Sequence, residues 1–294
     1  MPQGNDLSTE ATCTSCTFSE DFSNYWTANM WYQHRNGSFK RVQQFANEYL
    51  EPAKGGLTVY YIPPYDGKTK VTAFKPGFRM TVGNPMIRTA SRQARQICMR
   101  CFGANFEPFG GAPCTGDDTS DFPKTQCAGG IRSNIFFPTC WDGVNLDSAD
   151  HQSHVAYPTS GTFESGGPCP STHPVKIPQV MYEVMWNTTE FNTAEYWPTD
   201  GTQPFVFSYG DPTGYGQHAD YMFGWKDDSL QRAMDAECNV ACPTLQSQSA
   251  DQANQCIKQA VVDDPTDGWV DALPGSNPVT TTNLAKMKGW PEIE

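Results

Sequence analysis

Val175-Lys-Ile-Pro-Gln-Val-Met-Tyr-Glu-Val-Met-Trp186 decides the fold. From Val180 onward, Val180, Tyr182, Val184 and Trp186 alternate with Met181, Glu183 and Met185. Side chains on an extended strand point alternately to its two faces, so a period of two is the mark of a strand. The first set is β-branched or aromatic, the kind that packs well on a pleated surface. Shorter runs of the same kind recur on either side. Leu57-Thr-Val-Tyr-Tyr-Ile62 is stopped by Pro63-Pro64. Phe78, Met80 and Val82 share one face of another run, with Arg79 and Thr81 on the other. Residues 71–74, 131–138 and 205–208 read the same way. Tyr25-Trp-Thr-Ala-Asn-Met-Trp-Tyr32 is an aromatic-rich strand followed by the hairpin signal Asn36-Gly37.

The strands are short and the turns are many, since 25 Gly and 23 Pro are scattered without a period. Helical spacing is confined to residues 226–262. Leu230, Ala233, Met234 and Cys238 fall at helical intervals there, and 251–262 reads as a second short helix. Residues 1–12 read as disordered, 88–130 as an irregular disulfide-held excursion, and 263–294 as a Pro-, Thr- and Gly-rich tail. With 294 residues the chain can bury a sizeable core. The expectation is a single, mainly β domain over 13–262, a β-sandwich or jelly roll with long disulfide-bound loops and a short C-terminal helical segment.

A formal charge of −12 argues against nucleic acid and against an anionic membrane surface, both of which need Lys and Arg patches. No stretch approaches the ~20 apolar residues of a membrane span. Eleven cysteines are present: Cys13, Cys16, Cys98, Cys101, Cys114, Cys127, Cys140, Cys169, Cys238, Cys242 and Cys256. The two C-x-x-C pairs, Cys13/Cys16 and Cys98/Cys101, could make a four-thiolate zinc site, but they stand far apart in the chain. Seven further cysteines in a chain only 18% charged point instead to secretion and disulfides. Cys256 is expected to staple Cys238 or Cys242, and the odd count leaves one thiol unpaired. Asn36-Gly-Ser and Asn187-Thr-Thr are glycosylation sequons. The start, MPQGNDLSTEATC, is polar and has no apolar leader segment, so a truncated start is expected for this secreted composition. A monomer is expected.

Polar chemistry concentrates in residues 136–158, FFPTCWDGVNLDSADHQSHVAYP, which hold His151 and His154. A second loop, residues 211–220, brings His218 and Asp220, and Glu183 lies between the two in the chain. Loops of this composition carry either binding chemistry or plain turn chemistry. Two carboxylates flanking a sugar bond suffice for glycoside hydrolysis, and Asp142, Asp147, Asp150, Glu183, Asp211 and Asp220 are candidates. The expected pair is Glu183 with Asp220 or Asp142, with His154 and His218 orienting them. Arg79, Trp141, Asn145, Asp147 and Tyr215 are the expected substrate contacts. Trp26, Trp31, Trp141, Trp186, Trp197, Trp225, Tyr215 and Tyr221 are possible sugar platforms, with core packing expected for at least five. The alternative is a divalent metal on His151, His154 and His218, imidazole suiting Zn, Cu or Mn. On the leading reading no cofactor is needed. His173 looks structural and His34 exposed. No G-x-S-x-G elbow, G-x-G-x-x-G or phosphate loop occurs.

Several motifs in order resemble the DUF1996 family. They are Cys13-Thr-Ser-Cys16 with Asn24-Tyr25-Trp26; Pro76-Gly77-Phe78-Arg79-Met80 with Gly83-Asn84-Pro85; Cys140 to Asp147 with Asp150 to Pro158; Cys169-Pro-Ser-Thr-His-Pro174; Tyr182-Glu183-Val184; and Gly210 to Asp220. The resemblance spans residues 13 to about 256. It implies a fungal secreted protein, from a family named for its unknown function whose members are sometimes joined to WSC carbohydrate-binding modules. That association implies a polysaccharide of the fungal or plant cell wall as partner. The family's usual upstream segment with a His-x-His pair has no counterpart here, since no histidine precedes His34. Together these readings favour a secreted, polysaccharide-active glycoside hydrolase, with a non-catalytic glycan-binding wall protein as the alternative and a histidine-based metalloenzyme as the second alternative.

Overall fold

The computed structural model describes residues 6–45, 55–63, 69–90, 96–108, 110, 112–161, 167–236, 238, 241–262 and 267–284. Among them the strands in chain order are β1 (Asn24–Thr27), β2 (Met30–Gln33), β3 (Phe39–Arg41), β4 (Gln43–Phe45), β5 (Leu57–Ile62), β6 (Arg79–Gly83), β7 (Ile97–Phe102) and β8 (Gly130–Phe136). They continue with β9 (Cys140–Trp141), β10 (Val155–Ala156), β11 (Val175–Lys176), β12 (Gln179–Asn187), β13 (Phe205–Phe207), β14 (His218–Met222) and β15 (Trp269–Val270). The helices are α1 (Leu7–Glu10), α2 (Ser229–Asp235) and α3 (Ala250–Ala253). Every described strand pairing is antiparallel, giving a mainly β, sandwich-like protein with a short helical segment.

β12 is the centre of a five-stranded sheet, flanked by β8 on one side and by β4 and β5 along the other, with β7 outside β8. Its alternation does the work the sequence promises. Val180 and Tyr182 enter one core with Ile135, Phe137, Met80, Ala219 and Tyr221. Val184 and Trp186, on the same face, enter a second core with Met30, Tyr32, Phe205 and Phe207. One face of the central sheet is thus covered by two smaller sheets, β1-β14-β6 at one end and β13-β2-β3-β15 at the other. Burying an aromatic or aliphatic side chain of this size stabilises by about 1.5–3 kcal/mol each, so β12 alone anchors both layers.

Several expectations change. The aromatic run 25–32 is two strands in different sheets, β1 and β2, and residues 71–74 form no strand. The excursion 88–130 contains β7, and its four cysteines pair among themselves as Cys98–Cys114 and Cys101–Cys127. Cys13 bonds Cys256, so the zinc reading of the C-x-x-C pairs fails and Cys256 does not staple Cys238 or Cys242. Those two bond each other, Cys140 bonds Cys169, and Cys16 is the free cysteine. α2 buries Leu230, Ala233 and Met234 as expected but ends before Cys238. The helix read over 251–262 is one turn, α3, closed by a Ser249–Gln252 capping box. In the segment read as disordered, Asp6 caps the single turn α1. The segment read as a tail supplies β15, which pairs with β3, and buries Leu273. It then passes Gly210 (φ +90°), where an added Cβ would lie 2.0 Å from the Pro278 carbonyl oxygen. Only glycine allows that approach and that φ.

Candidate functional site

The site forms on the outward face of the β1-β14-β6 sheet. Ala219 and Tyr221 point into the core, so His218, Asp220 and Met222 point out. Register then fixes their neighbours: Asp220 stands opposite Thr81 of β6 and opposite Trp26 of β1, and Met222 opposite Arg79. Beyond β6, where a fourth strand could pair, lies the loop 142–154. Arg79 N donates to Leu146 O (3.1 Å) and Thr81 N to His151 O (2.8 Å). Gln152 Nε2 donates to Thr81 Oγ1 (3.2 Å) and Gly83 O (3.1 Å). The loop therefore caps the sheet edge and lays its polar side chains beside Asp220.

Two carboxylates on this face are pushed in opposite directions. Asp147 accepts from Arg79 Nε (2.5 Å), from His151 Nδ1 (2.5 Å) and from Ser148 N (2.9 Å). Burial alone would raise its carboxyl, yet the His151 and Arg79 hydrogen bonds hold it below the ordinary aspartate value. Asp220 goes the other way: burial pushes it up, and the nearby His151 offsets only part of that. His151 itself sits at φ +57°, a left-handed conformation that histidine adopts more readily than most residues. Trp26, on the far side of Asp220, is 42% exposed.

The remaining polar groups shape the loop. Asp150 accepts from Ser148 Oγ (2.7 Å), Gln152 N (3.0 Å), and Ser153 N and Oγ (2.9 Å each). Burial opposes this, but those donors hold its carboxyl well below the usual range. An ionised carboxylate only accepts, so the single Ser148 proton goes to Asp150, and His154 Nδ1 must donate to Ser148 Oγ at 2.9 Å. His154 is sealed with its ring against Phe78, and burial lowers its proton affinity. Its Nε2 has no hydrogen-bond partner. His154 thus locks the loop and does not face solvent.

His218 donates from Nδ1 to Gly216 O (2.9 Å), with its ring 5.3 Å from Trp26 and 5.0 Å from Tyr209. One edge keeps some exposure, but the ring is packed densely enough that burial pushes it down to about 4. Asp211 lies beneath, fully buried, beside Arg88 (3.4 Å) and accepting from Thr213 and Gly216.

Other expected residues are elsewhere. Glu183 points from the outer face of the central sheet, beside Arg132 (3.6 Å) and Tyr60 (3.3 Å). Its neighbour Tyr182 crosses the core to donate to the Asp220 carbonyl oxygen (2.8 Å). Glu183 and Asp220 therefore lie on the outer faces of two stacked sheets, which pack ~10 Å apart, and do not share a cleft. Asp142 closes a turn by accepting from Val144 N and from Asn145 N and Nδ2, which occupies Asn145 too. Trp141 is buried, its Nε1 donating to Asn145 O. Tyr215 sits beside Asp121. Of the eight proposed platforms, Trp31, Trp141, Trp186, Trp225 and Tyr221 are core. His151, His154 and His218 do not converge, and no group of three or more His, Cys, Asp or Glu side chains among the described residues is placed to hold a metal ion. His173 bonds the Ser153 carbonyl, and His34 packs among Tyr32, Tyr196 and Trp269 rather than standing free. Asn36 is exposed in the β2–β3 turn, and Asn187 is half-buried at the end of β12. Thr81 and Gln152 join the site without having been singled out. The only sequence signal was that Thr81 shares a strand face with Arg79.

Fold and face together define an antiparallel β-sandwich protein with two aspartates, an arginine, two histidines and an exposed tryptophan on the outer side of one sheet. Residues 2–225 match the model of a domain of unknown function, DUF1996, and the chain belongs to that family. No curated protein and no solved structure matches it.

Proposed function

We propose that this is a secreted glycoside hydrolase acting on a cell-wall polysaccharide, with Asp220 and Asp147 as its carboxylate pair. The observation that carries this is the opposed tuning of the two on one exposed face: Asp220 raised by burial, Asp147 lowered by Arg79 and His151. Environments that drive two acids apart assign the roles of proton donor and base. Asp220, whose carboxyl burial raises, in its protonated form gives its proton to the leaving glycosidic oxygen. Asp147, ionised and oriented by Arg79, takes a proton from the attacking water, directly or through His151, and the water's hydroxyl joins the anomeric carbon. Trp26 offers a ring face for a sugar next to Asp220. Five disulfides among the described residues are compatible with an extracellular protein, and no helix there is long and apolar enough to cross a membrane. The test is incubation with a panel of fungal and plant glucans, mannans and xylans, followed by product analysis. Release of oligosaccharides from at least one supports the reading. Binding without release from any refutes hydrolysis and leaves a glycan-binding protein that uses Trp26.

A further inference from the structure

A second polar site lies on the opposite side of the molecule, and it does not rest on the hydrolytic reading. On the outer face of the central sheet, Asn134 of β8 stands opposite Glu183 of β12, and Arg132 opposite Met185. Arg132 and Asn134 are both more than nine-tenths buried. Twelve buried side-chain nitrogen or oxygen atoms among the described residues lack a hydrogen-bond partner, and four of them are here: Arg132 Nε and Nη2, and Asn134 Nδ2 and Oδ1. Buried polar groups are nearly always paired, so a concentration of unpaired ones on two neighbouring residues marks a place that something polar fills.

The neighbouring arginine shows that this is not a general deficit of the sheet. Arg100 stands directly opposite Arg132 in register. It donates to Asp118 from Nε (2.7 Å) and Nη2 (2.9 Å), to Ala112 O from Nη2 (3.1 Å), and to Gly110 O from Nη1. Every nitrogen of one guanidinium is used, whereas Arg132 is left with both donors of its side-on edge free. The plane of Arg132 is held over the Phe102 ring (5.5 Å), and Nη1 faces Glu183 (3.6 Å).

The inventory of free groups selects the ligand. A carboxylate could take both donors of Arg132, but it has nothing to give to Asn134 Oδ1. Charge argues the same way, since two arginines are already balanced by Asp118 and Glu183. A vicinal diol fits: its two oxygens accept from the Arg132 edge and from Asn134 Nδ2, and a hydroxyl proton goes to Asn134 Oδ1. We propose that Arg132 and Asn134 form a binding site for a neutral vicinal diol, of the kind presented by a sugar ring, separate from the Asp220 face.

The test is the thermal midpoint of the full chain with D-glucose, D-mannose, D-galactose, myo-inositol or D-glucuronate in excess. At least one neutral polyol is expected to raise the midpoint. Asn134→Leu and Arg132→Lys should each weaken the binding about tenfold or more, because each strips away part of the donor–acceptor set. Asp220→Asn should leave it unchanged. Should Asn134→Leu fail to fold, Arg132→Lys, which keeps the charge beside Glu183, carries the test. No shift with any polyol overturns the proposal, as does a shift with glucuronate alone. A shift that survives both substitutions, or that Asp220→Asn abolishes, overturns it as well. Asn134→Leu stabilising the protein without altering its response to polyols would show that the free groups are merely hydrated.

Discussion

Replacing Asp147 by Asn tests the electrostatic frame of the site without removing a side chain of different shape. The carboxylate receives charge-assisted hydrogen bonds from Arg79 and His151, both at 2.5 Å. Such bonds contribute about 1.5–3 kcal/mol each when dry, but close to 0–1 kcal/mol when fully solvated. The Arg79, Asp147 and His151 side chains keep 17%, 23% and 38% exposure, so the His151 bond is heavily discounted and the Arg79 bond partly. About 2 kcal/mol is therefore expected for the substitution near pH 7, which for a domain of this size lowers the melting temperature by roughly 4–8 °C. The pH dependence has a fixed sign. The folded Asp147 carboxyl is held below the ordinary value of 3.8, so its contribution is present above that value and is lost as pH falls through the folded one. Calorimetric melts of both proteins at neutral pH and near pH 3 should show the gap at neutral pH and its shrinkage in acid. Equal stabilities at neutral pH, or a gap undiminished in acid, would refute the placement of Asp147 between Arg79 and His151.

His218, pushed down to about 4, should keep neutral-imidazole NMR shifts from pH 7 to near that value. Its contribution to stability is present above the ordinary 6.5 and is lost as pH falls through about 4; Trp26→Ala should raise the midpoint by opening the ring to water. Cys16, raised to about 12 mainly by burial, should not react with a thiol reagent in the native protein, and should supply one thiol once the chain is unfolded without reductant. Loss of the Cys140–Cys169 bond by double Ala substitution opens a link across 29 residues and should cost about 3 kcal/mol in urea melts, with loss of the ordered loop beside β6.

The strands that read clearly in the sequence are those whose two faces differ: β12 with its aromatic and charged sides, and β6 with Phe78, Met80 and Val82 inward. β7 was hidden because almost all of Ile97–Phe102 is buried on both faces, and its charged member Arg100 is neutralised by Asp118 from the same excursion. The helix read past Asn254 fails because 257–262 is exposed, Ile257, Val261 and Val262 included, and buries no apolar stripe among the described residues. In the site, Asp220, Asp147, Arg79, His151 and Trp26 could each be named from residue type. Their assembly could not, because it depends on which sheet each strand joins. Glu183 shows this best. Alternation says that it opposes Tyr182, but only the tertiary layering says that Tyr182 faces Asp220 across a core. Trp141 looked like a platform and is a wall of the core, since its indole proton is taken by Asn145 O within the same loop.

The most direct test of the Asp220–Asp147 assignment compares Asp220→Asn with Glu183→Gln on whichever polysaccharide the wild-type protein cleaves. General acid catalysis contributes roughly 10²–10⁴-fold. Asp220→Asn should therefore lose at least about 10²-fold in kcat/KM while Glu183→Gln stays within about threefold of wild type. A loss of that size in Glu183→Gln, with Asp220→Asn unaffected, would contradict the assignment and move the chemistry to the other face of the sandwich.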